Sequence, residues 1–249
     1  MANRISHLGV MIQEKTTNHI NKELYLLAKP EGMSGWKEEH YAMQRIKAGI
    51  NFDANMEYFK KLDKADFNKY LKKMCKKHKF MECFDLNQIS DVSGLYILVL
   101  DEFKQVYIGK SRDIKKRIQG HWNAKKSLER LIFGDVCSSI LSIDSFGALD
   151  TTRVFYRKSN GYQMDILEEK IVNDFDIKYV LNRTAGGIGS HATYTDDALS
   201  TQLAIVAGRK KRNIIDYMDM DAFRDFINQS SESTRKFYIS RYPVLKDLL

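Results

Sequence analysis

The chain has 249 residues, 43% of them hydrophobic and 29% charged, which suits a soluble globular protein of one or two domains with a sizeable core. Its formal net charge of +8 makes a polyanion partner plausible, although a lysine-rich protein without such a partner would carry the same excess. Cys75, Cys83 and Cys137 are odd in number and form no CxxC pair, no apolar run follows the N-terminal charge, and no stretch of ~20 apolar residues occurs; a disulfide framework, a structural zinc site, a signal peptide and a membrane span are therefore not expected, and reduced thiols in the cytoplasm are.

Residues 1–90 read as a helical, basic region that holds most of the surplus positive charge. A first helix is expected over Ile12 to Lys29, stopped by Pro30-Glu31-Gly32. A second is expected from Trp36 to Ala48, ending at Gly49. A third is expected from Asp53 to Phe80, with a break near Asp63–Asp66. Phe59, Leu62, Tyr70, Leu71 and Met74 recur mostly at three or four residues and mark its buried side. Its other side carries Lys69, Lys72, Lys73, Lys76, Lys77 and Lys79.

Residues 91–190 change character. Gly94–Leu100 is apolar and β-prone, Asp101–Gln105 is a polar turn, and Val106–Gly109 is a return strand, so a hairpin is predicted. Ser111 or Asp113 can cap the following helix, which runs to about Gly120. Between 122 and 150 the pattern mixes a candidate helix, Ala124–Phe133, with an apolar segment containing Ser138–Ile143. Thr151–Tyr156 is β-branched and aromatic and reads as a third strand. Gln163–Phe175 reads as a helix and Asn182–Gly189 as a glycine-rich loop. In residues 191–249, helices are expected at Asp197–Ala207, Asp221–Asn228 and Ser231–Arg241, with the basic run Arg209-Lys210-Lys211-Arg212 between the first two. That run and the Lys72, Lys73 and Lys76 stretch could touch a nucleic-acid backbone, or could be solvated packing faces.

Several residue types in the central segment match what phosphodiester hydrolysis requires: a nucleophilic water, charge stabilisation at phosphorus and help for the leaving oxygen. Tyr96 and Tyr107 lie on the two arms of the hairpin and can meet across it. A lone strand tyrosine usually serves packing; here Gly94 and Gly109 flank the pair, and strand glycines often mark a close approach. A phenol is a poor base at its usual pKa of about 10, but a neighbouring cation eases loss of its proton. Arg117 and His121 are four residues apart and share a helix face, while Ile114 and Ile118 point to the core. With Lys110, Lys115 and Lys116 they form a candidate phosphate-binding surface; the plainer readings are a solvated basic face and a histidine that suits a helix C-terminus. Met164, Leu167, Ile171 and Phe175 form an apolar face with Glu168 at its edge and Glu169 outside. A carboxylate so placed must be paired or bind a metal. Glu168 is thus a candidate ligand for a hard cation that keeps most of its waters, the alternative being a buried salt bridge with Arg117 as a candidate partner. Asn182 could orient a phosphate or a water, or be an ordinary turn asparagine.

The ordered set Gly94-Leu95-Tyr96, Tyr107-Ile108-Gly109, Arg117, His121, Glu168 and Asn182 resembles the GIY-YIG nuclease family, with Leu95 in place of the usual isoleucine. The resemblance implies an α+β fold: a small three-stranded antiparallel sheet flanked by helices over residues 91–190, with helical extensions at 1–90 and 191–249. It implies one Mg²⁺ or Mn²⁺ ion held by Glu168 alone, Arg117 on the scissile phosphate, and Tyr96 activating water, with His121 or Tyr107 assisting. Asn182 is similar to the asparagine that closes the family core, and Lys110 to the lysine that often follows the second motif. The expected activity is endonucleolytic cleavage of DNA, most often duplex, with a homodimer as one allowed assembly. The basic region ahead of the core looks more like restriction or defence nucleases than homing or repair ones. The alternatives are a non-cutting nucleic-acid-binding module and a structure-selective or homing-type nuclease.

Overall fold

The computed structural model describes residues 3–27, 37–124, 131, 135–182 and 212–247. Among them the chain is α+β, with seven helices and two small antiparallel sheets. The elements are β1 (Arg4–His7), β2 (Val10–Gln13), α1 (Lys22–Leu27), α2 (Glu38–Lys61), α3 (Lys64–Lys77), β3 (Met81–Cys83), β4 (Gly94–Leu100), β5 (Gln105–Ser111), α4 (Ile114–Asn123), β6 (Arg153–Lys158), α5 (Met164–Asp174), α6 (Met220–Gln229) and α7 (Glu232–Arg241). No helix among the described residues is long and apolar enough to cross a membrane.

The strand β4 organises the molecule. All seven of its residues are buried, as an unbroken apolar run demands when both faces of a strand are covered. It lies between β5 and β6 in a sheet of order β3-β6-β4-β5. Its pairing with β5 runs from Gly94↔Ser111 to Leu100↔Gln105. Side chains alternate across the sheet. Leu95, Ile97 and Val99 join one core, together with Val106 and Ile108 of β5, Phe67, Leu71 and Met74 of α3, and Ile171 and Val172 of α5. Tyr96, Leu98 and Leu100 join the other, with Phe52 and Phe59 of α2, Ile114 and Ile118 of α4, and Phe223, Phe226 and Tyr238 of the C-terminal helices.

The expected sheet of three strands has four, because Met81–Cys83 pairs with β6 from Met81↔Tyr156 to Cys83↔Val154. Packing therefore runs across residue 90: α3 and β3 complete the sheet and one of its faces. A second departure lies at the start. Ile12 belongs not to a helix but to β2, which pairs with β1 through a two-residue turn at Leu8 (φ 47) and Gly9 (φ 75). Two positive φ values in succession match the twist of a hairpin. The helix begins only at Lys22.

Gly49 does not end the second helix, and α2 continues to Lys61. One turn beyond it, the buried amides of Asn51 and Asn55 donate to the carbonyls of Val136 and Ser139 at 2.8–3.0 Å. These long-range bonds hold the helix through the glycine, whose intrinsic cost is only about 1 kcal/mol. The break near Asp63 is present: Asp63 caps α3 by accepting from the Asp66 amide at 2.7 Å. Asp113 is the cap of α4 and Ser231 the cap of α7. Ala124 is extended and ends α4. Most of the expected Ala124–Phe133 helix, the Asp197–Ala207 helix and the loop after Asn182 lie outside the described residues.

Candidate active site

Tyr96 and Tyr107 project from the same face of the β4–β5 hairpin, with ring centroids 6.3 Å apart. Their glycines show why these positions lack side chains. Gly109 lies opposite Tyr96 in the register, and a Cβ there would stand 2.5 Å from Tyr96 Cζ and 3.0 Å from Tyr107 Cε1. A Cβ on Gly94 would collide with the Arg157 carbonyl oxygen and stand 3.0 Å from Lys158 Cα. The close approaches anticipated for the two glycines are thus an aromatic ring in one case and the β6 backbone in the other.

The helix α4 brings its functional residues to this pair. Asp113 starts it directly after β5, and Ile114 and Ile118 are fully buried, which turns Arg117 and His121 toward the phenols. The Tyr96 hydroxyl is 2.8 Å from His121 Nε2. The His121 ring is buried and lies edge-on to Tyr107 at 5.1 Å. Arg117 lies close enough to both phenols for its charge to draw their pKa values down. On the far side of the imidazole, His121 Nδ1 is 2.6 Å from Asp144 Oδ1. Asp144 was not anticipated. It comes from a one-turn 3-10 helix, Ile143–Ser145, within the stretch where composition gives no clear pattern.

Glu168 is buried on α5, as the helical periodicity requires, and Glu169 is exposed. Among the described residues its salt bridge is to Lys110 rather than Arg117: Glu168 Oε2 is 3.1 Å from Lys110 Nζ, and Asp165 also pairs with Lys110. The reason is positional, since Lys110 points to the α5 side of the sheet while Arg117 rises from α4 on the other side. Glu168 is still close enough to raise the pKa of both phenols. Burial opposes the Lys110 charge, but the two carboxylates outweigh it and hold its pKa above the ordinary lysine value.

Asn182 is placed by the backbone of β5. Its Oδ1 accepts from the Ile108 amide at 2.9 Å and its Nδ2 donates to the Ile108 carbonyl at 2.6 Å. Together with Leu181 N donating to Val106 O at 2.8 Å, it closes the outer edge of the sheet. Lys115 donates to Asn87 Oδ1 at 2.8 Å, and Lys116 is exposed. Lys72, Lys73 and Lys76 are exposed on α3, which covers the face opposite the tyrosines, so they are not brought to this site. Arg209 and Lys210 lie outside the described residues, and Arg212 is buried, donating to Gln105 Oε1 at 2.8 Å.

The phenols do not ionise readily here, contrary to the easing expected from nearby cations. Burial pushes Tyr96 well above the usual phenol value, with Tyr107 and Glu168 adding to the effect and Arg117 opposing it. Burial, then Glu168, raises Tyr107 to about 12 against the pull of Arg117. Both are neutral phenols at physiological pH. Among the described residues no group of three or more His, Cys, Asp or Glu side chains could hold a metal ion. A single buried carboxylate, already engaging a cation through Lys110, fits a hard ion that keeps its waters. No protein-family model, curated protein or solved structure matches the chain.

Proposed function

We propose that the protein is a metal-dependent endonuclease that hydrolyses phosphodiester bonds in duplex DNA, of the restriction or defence type within the GIY-YIG resemblance. The observation that carries this reading is the convergence of Tyr96, Tyr107, Arg117 and His121 on one face of a hairpin, with a phenol–imidazole bond of 2.8 Å at its centre. The antiparallel neighbours β6, β4 and β5 in the four-stranded sheet support this reading.

In this reading Arg117 binds the scissile phosphate and offsets the charge that develops on it. Tyr96 takes a proton from the attacking water and passes its own to His121, so the phenol never has to exist as a free phenolate. Tyr107 holds the imidazole edge and shares Arg117. Glu168 would hold Mg²⁺ or Mn²⁺, which when bound supplies charge neutralisation at the phosphate; Lys110 would then yield its place on that carboxylate and remain paired to Asp165. Arg117, Lys115 and Lys116 support contact with the nucleic-acid backbone. The three buried, unpaired cysteines support a reducing cytoplasm.

The test is a supercoiled-plasmid assay with Mg²⁺, Mn²⁺ or EDTA on wild type and Glu168→Ala. Metal-dependent cutting by wild type alone supports the reading, and discrete bands support a restriction-type specificity. Equal cutting by both proteins removes Glu168 from the mechanism. Salt-sensitive binding with no cutting of plasmid, fork or four-way junction under either metal would leave a non-cutting binding module.

A further inference from the structure

We infer that Asp144 is a positioning residue that holds His121 in its Nδ1–H form, leaving the Nε2 lone pair to receive the Tyr96 hydroxyl proton. The catalytic consequence rests on the nuclease reading, whereas the proton on Nδ1 follows from geometry.

A carboxylate only accepts hydrogen bonds. With Asp144 Oδ1 at 2.6 Å from Nδ1, that nitrogen must carry the proton. In the neutral ring Nε2 is then an acceptor, and the Tyr96 hydroxyl at 2.8 Å can only donate to it. The ring cannot turn away, because it is buried between Tyr96 and the edge of Tyr107. Asp144 is held in turn. Its amide donates to Ser142 Oγ at 3.2 Å, and its neighbours Ile143 and Ser145 are buried in the same short turn. The groups around the imidazole include Tyr96 from β4, Tyr107 from β5 and Asp144 from the turn.

This order sets the proton path. As the water oxygen bonds to phosphorus, its proton moves to Tyr96 Oη while the Tyr96 proton moves to His121 Nε2. The P–O bond to the leaving group breaks, and that oxygen takes a proton from solvent water. The imidazolium formed lies against the Asp144 carboxylate. The Asp144 side chain is 46% exposed, so the relay ends at bulk water, where the imidazole can lose its proton before the next cycle.

The test joins ¹⁵N NMR of the histidine rings to plasmid cleavage, in the full chain and in Asp144→Ala, with thermal unfolding as a control on folding. Wild type should show His121 protonated at Nδ1 and bare at Nε2, and Asp144→Ala should show the reverse. Cleavage by the variant should fall about 10²–10⁴-fold in kcat, the usual range for lost acid–base assistance, with KM little changed. Asp144→Asn, nearly isosteric, repeats the measurement without emptying the space and should also lose activity. A proton on Nε2 in wild type overturns the inference. So does full cleavage by Asp144→Ala, which leaves the nuclease reading standing. The expected tautomer, reversed by the variant, in a protein that cuts nothing would retain the positioning role and remove the nuclease reading instead.

Discussion

Replacing Gly109 by alanine tests whether the glycine of the second motif exists to make room for the Tyr96 ring. The added Cβ would stand 2.5 Å from Tyr96 Cζ and closer still to the hydroxyl. Ordinary carbon contact begins near ~3.5 Å, so the phenol must retreat by about 1 Å. Tyr96 is fully buried on the central strand and Tyr107 Cε1 already stands 3.0 Å from the same Cβ, so the Tyr96 ring has no free space to move into. A 1 Å retreat takes the hydroxyl from 2.8 Å to beyond hydrogen-bonding reach of His121 Nε2. Overpacking of this kind costs roughly 1–3 kcal/mol, set against a gain of roughly 0.5–1 kcal/mol from removing a strand glycine. In a chain of this size the melting temperature should drop by a few degrees, at about 2–4 °C per kcal/mol. Cleavage should fall by about 10²-fold, as for a 1 Å misplacement of a reacting group. Thermal unfolding and plasmid cleavage on the same preparation measure both. Wild-type stability together with wild-type cleavage would refute the steric argument, and a loss of stability with full cleavage would detach Tyr96 from the chemistry.

Tyr96→Phe removes only the hydroxyl; it should abolish cleavage while leaving DNA affinity in a gel-shift assay near wild type, and loss of both together would point to a structural role. Asn182→Ala deprives the buried Ile108 amide of its partner and should cost about 1–3 kcal/mol in urea unfolding. Cleavage per folded molecule should persist in that variant; complete loss with unchanged stability would show instead that Asn182 touches substrate. Burial raises the pKa of Tyr58, Tyr96, Tyr107, Tyr238 and Tyr242 above the usual phenol value. The folded state thus keeps phenol protons that the unfolded chain releases, and the stability they contribute is fully present below pH ~10 and is lost as pH rises through the folded values, about 12 for Tyr107. Urea midpoints measured from pH 9 upward, with phenolate absorbance as the probe, should fall steeply above pH 10; a flat profile would contradict the burial of these rings.

The parts of the fold legible in the sequence are those whose signal is local. An unbroken apolar run followed by a polar turn specifies β4 and its hairpin partner, the caps Asp113 and Ser231 sit where side-chain oxygens can reach backbone amides, and the α5 periodicity separates buried Glu168 from exposed Glu169. The parts not legible depend on distant partners. Strands as short as Met81–Cys83 show too little alternation to stand out, and that one exists because β6 offers it a pairing edge. The passage of α2 through Gly49 depends on carbonyls at Val136 and Ser139, far along the chain. Lys110, which strand alternation turns toward α5, is the cation that pairs with Glu168, and spacing along the chain carries no information about which face of a sheet a helix will cover.

Asp144 has the same origin, and it changes how the site reasons as chemistry. Taken alone, Tyr96 forms its phenolate less readily in the folded protein than in water, because burial disfavours the charge more than Arg117 favours it. By itself, that property would argue against Tyr96 as a base. The pairing reverses the conclusion: a buried phenol that donates to an imidazole need not ionise in the ground state, since it can gain one proton as it loses another. The same desolvation that raises its pKa strengthens the field of Arg117 and the hydrogen bond to His121. In the proposed mechanism the transition state then requires an acceptor of fixed tautomer behind the phenol, and the group that fixes it is a carboxylate from a stretch whose sequence shows no clear pattern.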